Sequence, residues 1–254
     1  MPSPSQDRSE QGFLNQCQKI LASRDVDSSS AAQHLPQLYA VLRLIPRTMI
    51  SRMVDLGCGY GGLTECIASY FQVREAYGVD MDGERLLLAG KRGIKIYALN
   101  LEHDLLPFDG GSIDLVTSFG VLEHLTYYDN LISEASRVLT RGGYFLMSMP
   151  NLASYVNRIA LLFGYQPRIV ELSSKGAFGV LPLYRNRGSN GHIRTATLRA
   201  MRELLHHYKL EYVRGRGFAG PAFPYLMPSS NIVDKALHRF PSLSRRFILL
   251  AARR

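Results

Sequence analysis

Two rhythms of apolar and polar residues alternate along the first 150 positions. "ISRMVDLG" (50–57) is a short apolar run stopped by glycine. After it, Leu63, Cys66, Ile67, Tyr70 and Phe71 fall at i, i+3, i+4, i+7 and i+8, the spacing of one buried helical face. The alternation then repeats. "EAYGVDMD" reads as a second strand and "GERLLLAGK" as a second helix, followed by strands at "GIKIYALN" and "SIDLVTSFG". Leu131, Ile132, Ala135, Val138 and Leu139 mark the next helical face, and "GGYFLMSM" is nearly all apolar, as a central strand covered on both faces should be. Strands and helices in turn predict an α/β fold with a doubly wound, mostly parallel sheet.

The rhythm breaks after Pro150. "NLASYVNRIALLFGYQP" reads as one helix, and residues 165–194, rich in Gly, Arg and Tyr, have no clear period. Helical spacing returns with Leu198, Met201, Leu205 and Tyr208. Strand-like "LEYVRGRGF", a short helix around Ile232–Phe240 and a final strand at "RRFILLAARR" follow. This divides the chain into a mobile N-terminus with a helical cap (1–45), the ligand-binding half of the domain (46–150), a lid or acceptor segment (151–194) and the C-terminal part of the same domain (195–254). Within the first part, Phe13–Leu21 is weakly helical and "AAQHLPQLYAVLRLI" suggests a helix. No internal repeat is visible.

The 254 residues suit one sizeable α/β domain, and 46% apolar residues argue against global disorder. Cys17, Cys58 and Cys66 have no metal spacing and form no disulfide framework. The N-terminus lacks the basic stretch and apolar run of a signal peptide, and no apolar run approaches the roughly 20 residues of a membrane span. A cytoplasmic location is the simplest expectation.

Charge changes the picture. Residues 1–140 carry 12 Lys and Arg against 17 Asp and Glu, a net of −5, whereas residues 141–254 carry 18 against 4, a net of +14. The second half should therefore face something anionic, unless it is merely a solvated basic surface.

"MVDLGCGYGGLTECIA" (53–68) contains a literal G-x-G-x-x-G at Gly57, Gly59 and Gly62. It also contains D-x-G-x-G-x-G at Asp55, Gly57, Gly59 and Gly61. A glycine turn between strand and helix lets the backbone approach a ligand and offers free N–H groups at a helix N-terminus. Asp55 selects among ligands. A carboxylate there would repel a pyrophosphate but suits an amino group and a sulfonium, or orders the loop amides. The residues resemble motif I of the class I S-adenosylmethionine (SAM)-dependent methyltransferases, with Tyr60 where Thr is common. "ALNLEHDLLPFDGGSIDLVTSFGVLEHL" (98–125) resembles a second stretch of that family, and the likeness covers about residues 50–150.

The resemblance implies a seven-stranded Rossmann-like sheet with an antiparallel last strand, and SAM as cofactor. Asp55, Gly57, Cys58, Gly59, Tyr60 and Gly61 would form the cofactor turn. Asp80, 23 residues beyond Gly57, could accept both ribose hydroxyls, with Asp82 a neighbouring acid better suited to capping the next helix. Asn100 stands where the family often has Asp beside adenine, with Glu102 and Asp104 as alternatives. Met81 and Leu101 would wall the adenine, or be ordinary core residues. Phe119 would line the same site.

Methyl transfer from a sulfonium is an in-line displacement in which the protein supplies alignment, desolvation and sometimes a base, so a dedicated catalytic residue is optional. His124, in "VLEHL", and His192, in "NGHIRTATLRAM", are the candidates. In ubiquinone-type O-methyltransferases a related Glu-x-x-Glu-His stretch holds a divalent ion. Here Gly120 replaces the first acid beside Glu123 and His124, and no metal is expected. His206 and His207 have no third ligand in view. An "NPPY"-like segment and a Pro-Cys nucleophile are both missing, which disfavours DNA and base methylation.

The expectation is methyl transfer to oxygen on a small, anionic metabolite or lipid-linked intermediate. Arg158, Arg168, Arg185, Arg187 and Arg194, opposed within 151–194 only by Glu171, would make an anion-attracting rim. An RNA methyltransferase, a non-catalytic SAM-binding scaffold and a dehydrogenase are the alternatives. RNA and a membrane surface remain as other partners of the basic half.

Overall fold

The computed structural model describes residues 9–22, 35–46, 50–184, 188–218, 236–237 and 239–254. Its centre is a seven-stranded sheet in the order β3-β2-β1-β4-β5-β7-β6. The strands are β1 (Arg52–Leu56), β2 (Glu75–Asp80), β3 (Lys95–Ala98), β4 (Ile113–Phe119), β5 (Leu139–Pro150), β6 (Leu210–Phe218) and β7 (Arg246–Arg253). The first five pair in parallel, and β7 runs antiparallel between β5 and β6. The apolar runs that predicted strands coincide with them because the sheet is covered on both faces. Phe145, Met147, Leu249 and Leu250 are completely buried.

The helices are α1 (Glu10–Leu21), α2 (Leu35–Leu42), α3 (Gly62–Phe71), α4 (Gly83–Gly90), α5 (Asp129–Val138), α6 (Tyr155–Leu162) and α7 (Leu198–His207). One face of the sheet packs with α5 and α7 through Leu131, Ala135, Met201 and Leu205. The opposite face packs with α1, α2 and α3 through Phe13, Leu38, Val41, Ile67 and Phe71. Each of these Leu, Ile, Val, Phe and Met side chains contributes about 1.5–3 kcal/mol by burial.

Some elements differ from the expectations. Residues 10–21 form a full helix within a stretch read as mobile. Ser9 caps it by accepting from Gly12 N, while Phe13, Cys17 and Leu21 drop into the core. Phe13 meets the Tyr70 ring edge-on at 5.4 Å. The helix expected over 151–167 is only Tyr155–Leu162. Asn151 spends its side chain on the backbone carbonyls of Pro241, Ser242 and Ser244, and Ser154 starts the helix by accepting from Asn157 N. Most of the helix expected around Ile232–Phe240 lies outside the described residues, as do Arg185 and Arg187. No helix among the described residues is long and apolar enough to cross a membrane.

Strand order reverses beside β1, whose neighbours are β2 on one side and β4 on the other. In an open α/β sheet the crevice beyond the carboxyl ends of the strands at such a point is where ligands sit. The glycine turn follows β1 there, and the loop carrying Glu123 follows β4.

Candidate functional site

Each glycine of the turn has its own reason. A Cβ on Gly57, at φ +80°, would lie 2.2 Å from Val121 Cγ2. One on Gly61 would lie 2.6 Å from Ile94 Cδ1 and 3.1 Å from the Ala89 backbone. These two are forced by packing against the loop after β4 and against α4. Gly59 differs: at φ +51°, a Cβ there would meet nothing within 4 Å. The turn therefore presents open space at its middle glycine and close packing at its flanks.

The turn is braced from three sides. Gly57 N and Cys58 N both donate to Val79 O, and Gly61 N donates to Cys58 O. Gly59 N donates to Asp80 Oδ2 at 2.8 Å, while Asp80 Oδ1 accepts from Asp82 N at 3.0 Å. α3 begins directly after Gly61 with no side-chain cap on its first turn, so its dipole end faces the crevice.

Asp55 is buried, and both its oxygens are engaged. Oδ2 accepts from Thr64 Oγ1 at 2.5 Å and Oδ1 from Thr117 Oγ1 at 2.7 Å. Burial pushes its pKa up, the two hydroxyls pull against that, and the nearby Asp80 adds to the rise. Asp55 thus ties β1 to α3 and β4 through two hydroxyls rather than through the loop amides expected for it. Thr64 and Thr117 were not singled out in the sequence, since isolated threonines carry no spacing signal.

The other expected residues divide. Met81 is 77% exposed beside the turn. Leu101 is buried in the core, and its carbonyl accepts from Asn130 Nδ2. Asn100 starts a tight turn in which its Oδ1 accepts from Glu102 N, and Asp104 Oδ2 accepts from Asn100 N. Cys58 is tucked beneath the turn against Gly78 and Ile94, and burial raises its thiol pKa far above the ordinary range. Tyr60 lies under the Arg85 guanidinium, 5.5 Å from its ring centre, and its carbonyl accepts from Arg92 Nε. Phe119 is half-buried at the end of β4. Asp82 caps α4, accepting from Glu84 N and Arg85 N.

A second group gathers after β4. Glu123 is 1% exposed; its Oε1 accepts from Arg246 NH2 at 2.9 Å and its Oε2 has no partner. Its carbonyl accepts from Ile193 N and Arg194 N, which brings His192 beside it. The His124 and His192 rings meet edge-on at 5.2 Å, and His124 Nδ1 is 2.9 Å from Gly191 O. His192 Nδ1 and the Tyr128 hydroxyl are buried without partners. Burial pushes the His192 pKa below its ordinary 6.5 and the Tyr128 phenol up to about 12. Glu123, His124 and His192 offer three donor atoms within 4.8 Å of one another. A divalent ion there would sit against the Arg246 guanidinium, which already supplies Glu123 with positive charge. Sequence reasoning paired Glu123 with His124 but missed that His192, nearly 70 residues away, joins them. His206 stands apart, bonded to Glu211.

Residues 54–147 match the family model described as a methyltransferase domain. The fold is shared with solved SAM-dependent methyltransferases. That from Mesorhizobium loti is 17% identical, with a TM-score of 0.55 over 85% of this chain and 97% of that one. That from Archaeoglobus fulgidus is 16% identical, with a TM-score of 0.55 over 84% and 91%. Residues 54–147 thus carry a methyltransferase domain, on the fold that solved SAM-dependent methyltransferases share. Among curated proteins, a probable SAM-dependent methyltransferase of Mycobacterium tuberculosis is 29% identical over 44% of this chain and 40% of its own length. The ubiquinone biosynthesis O-methyltransferase of Candida albicans is 31% identical over 39% and 32%. The cyclopropane-fatty-acyl-phospholipid synthase of Escherichia coli is 30% identical over 49% and 32%. The chain thus spans well under half the length of these relatives.

The residues present fit SAM. The space over Gly59 leaves room for a ligand against the backbone, and the uncapped start of α3 offers donors to a carboxylate. A carboxylate has about four lone-pair sites, so Asp80 keeps acceptor capacity beyond its two backbone bonds.

Proposed function

We propose that this protein transfers the methyl group of SAM to an oxygen of a small acceptor that is anionic or lipid-linked. The observation that carries the reading is the pairing of an open middle glycine with a nearby set of unpartnered buried polar atoms. Glu123 Oε2, His192 Nδ1 and the Tyr128 hydroxyl are buried without partners, and Val121, two residues before Glu123, packs on Gly57. Buried polar groups without partners are costly, and a ligand hydroxyl is the simplest group to satisfy them.

When bound, SAM supplies the electrophilic methyl group. Asp80, oriented by the Gly59 amide, would hold its ribose side, and the start of α3 would hold its carboxylate. Burial lowers the His192 pKa and so favours its neutral form, which can accept the proton of an acceptor hydroxyl. Arg194, stacked 4.6 Å over the Tyr127 ring, and Arg168, 5.7 Å over Tyr184, give the segment 151–194 its cationic character. Two relatives support the acceptor class: one is named for O-methylation in ubiquinone biosynthesis, the other for a fatty-acyl phospholipid.

The test is transfer of label from methyl-tritiated SAM into a cell extract, followed by fractionation. Label in an acidic metabolite or organic-soluble fraction, resistant to nuclease, is the expected result. Nuclease-sensitive label would favour the second reading, in which the +14 half is a phosphate footprint for RNA.

A further inference from the structure

The segment between β5 and α7 contains a helix that is packed inside out. α6 buries its small and polar residues, Asn157 and Ala160, against the domain. Asn157 Nδ2 donates to Asn151 O, fixing that orientation. Its large apolar side chains face outward: Ile159, Leu162 and Phe163 follow at i, i+3 and i+4, with Leu162 79% and Phe163 70% exposed. A surface helix of a soluble domain normally shows the reverse.

The loop that follows exposes further large apolar side chains. Gln166 N donates to Gly179 O at 2.8 Å, so residues 166–179 form a closed loop whose ends meet next to the end of α6. That loop exposes Leu172 (71%) and Phe178 (58%), the latter adjacent to the closing pair. Cations border these residues. Arg158 and Lys175 are exposed, and residues 151–194 contain six Lys and Arg against Glu171 alone.

Protruding Leu and Phe side chains among cations match the chemistry of an anionic lipid surface, which takes apolar groups into its acyl boundary and attracts Lys and Arg. A second copy of the chain fits worse, since it would bring two basic rims together on a protein of net charge +9. No described helix is long enough to span a bilayer, so any contact is peripheral. The segment is rooted beside the site. Asn151 bridges Ala196, Leu152 N donates to Ala196 O, and His192 lies four residues before that root.

We propose that α6 and the 166–179 loop form a peripheral docking face for anionic membrane, placing the acceptor crevice at the lipid surface. This goes beyond the reaction itself, and docking is read without turnover, so either can fail alone. The experiment is co-sedimentation of the purified chain with phosphatidylcholine vesicles, with and without about 30 mol% phosphatidylglycerol. Partition should be at least about tenfold stronger to the anionic vesicles. It should fall at least about tenfold in the Leu162→Glu/Phe163→Glu variant. Arg158→Gln with Lys175→Gln should also reduce it, by roughly fivefold per cation.

Absence of binding to anionic vesicles, or equal binding by the wild type and the Glu variant, would overturn the proposal. A wild-type dimer that the Glu variant dissociates would assign the face to a second copy instead. A melting midpoint lowered by several degrees in the lipid-free Glu variant would mean that the chain itself covers the face, and would also overturn it.

Discussion

Val121 fills the space where a side chain on Gly57 would have to go: a Cβ there would stand 2.2 Å from Val121 Cγ2. This contact locks the cofactor turn to the loop that carries Glu123 and His124. The glycines on the turn are therefore not equivalent. Gly57→Ala should act on the fold, through overpacking and a left-handed backbone, and cost about 2–4 kcal/mol in urea unfolding. A loss under about 0.5 kcal/mol would show that Val121 gives way freely.

Asp80 and Asp82 should separate in the same way. Asp80→Ala removes the acceptor for Gly59 N together with the acid proposed to hold the ribose, and SAM affinity should fall at least about tenfold. Asp82→Ala removes only the α4 cap and should cost about 1 kcal/mol of stability with affinity nearly unchanged. Calorimetry on the two variants checks both. Equal affinity in wild type and Asp80→Ala would remove Asp80 from the site.

Arg246 and Glu123 form a pair whose acid is buried and whose guanidinium is 20% exposed. Arg246→Met should leave a buried carboxylate without its counter-charge and cost about 3 kcal/mol, whereas Glu123→Gln should cost less because it buries no charge. Chemical unfolding of both variants tests the order. If Glu123→Gln proves the more damaging, the pair is not held together by charge.

A pH-dependent prediction comes from Glu134 on α5. Its carboxylate accepts from Arg137 Nε at 2.6 Å and from Leu106 N at 2.7 Å, while Arg137 also donates to Leu106 O and Phe108 O. The Arg137 bond, offset in part by burial and aided by the Leu106 amide, holds Glu134 below its ordinary 4.5. A depressed carboxylate stabilises the fold above its unfolded value and loses that contribution as pH falls through its folded value. The stability gap between wild type and Glu134→Gln should therefore be about 1–2 kcal/mol at neutral pH, screening by solvent included, and shrink below about pH 4.5. A gap that stays constant from neutral pH to about pH 3.5 would contradict it.

Much of this was legible in the sequence because it rests on periodicity. "GGYFLMSM" is a nearly continuous apolar run, the pattern that a strand buried on both faces imposes, and β2 and β3 were read from the alternation of strands and helices. The glycine turn was legible because spacing defines it. Its internal division of labour was not, because whether a glycine borders Val121, Ile94 or open space depends on chain far away in sequence. Thr64 and Thr117 escaped notice because isolated threonines carry no spacing signal, and the meeting of His192 with Glu123 depends on a backbone contact from Ile193. α1 was underestimated because its stability comes from packing Phe13 against Tyr39 and Tyr70 rather than from its own composition.

The central claim is that SAM sits over Gly59, and one substitution isolates it. Asn tolerates a left-handed backbone, so Gly59→Asn adds a side chain into the open space with little strain. Titration calorimetry of SAM into the wild type should show one saturable site, reduced at least about tenfold in a Gly59→Asn protein that melts like the wild type. Undiminished affinity in that folded variant, or no saturable binding to the wild type, would contradict the account.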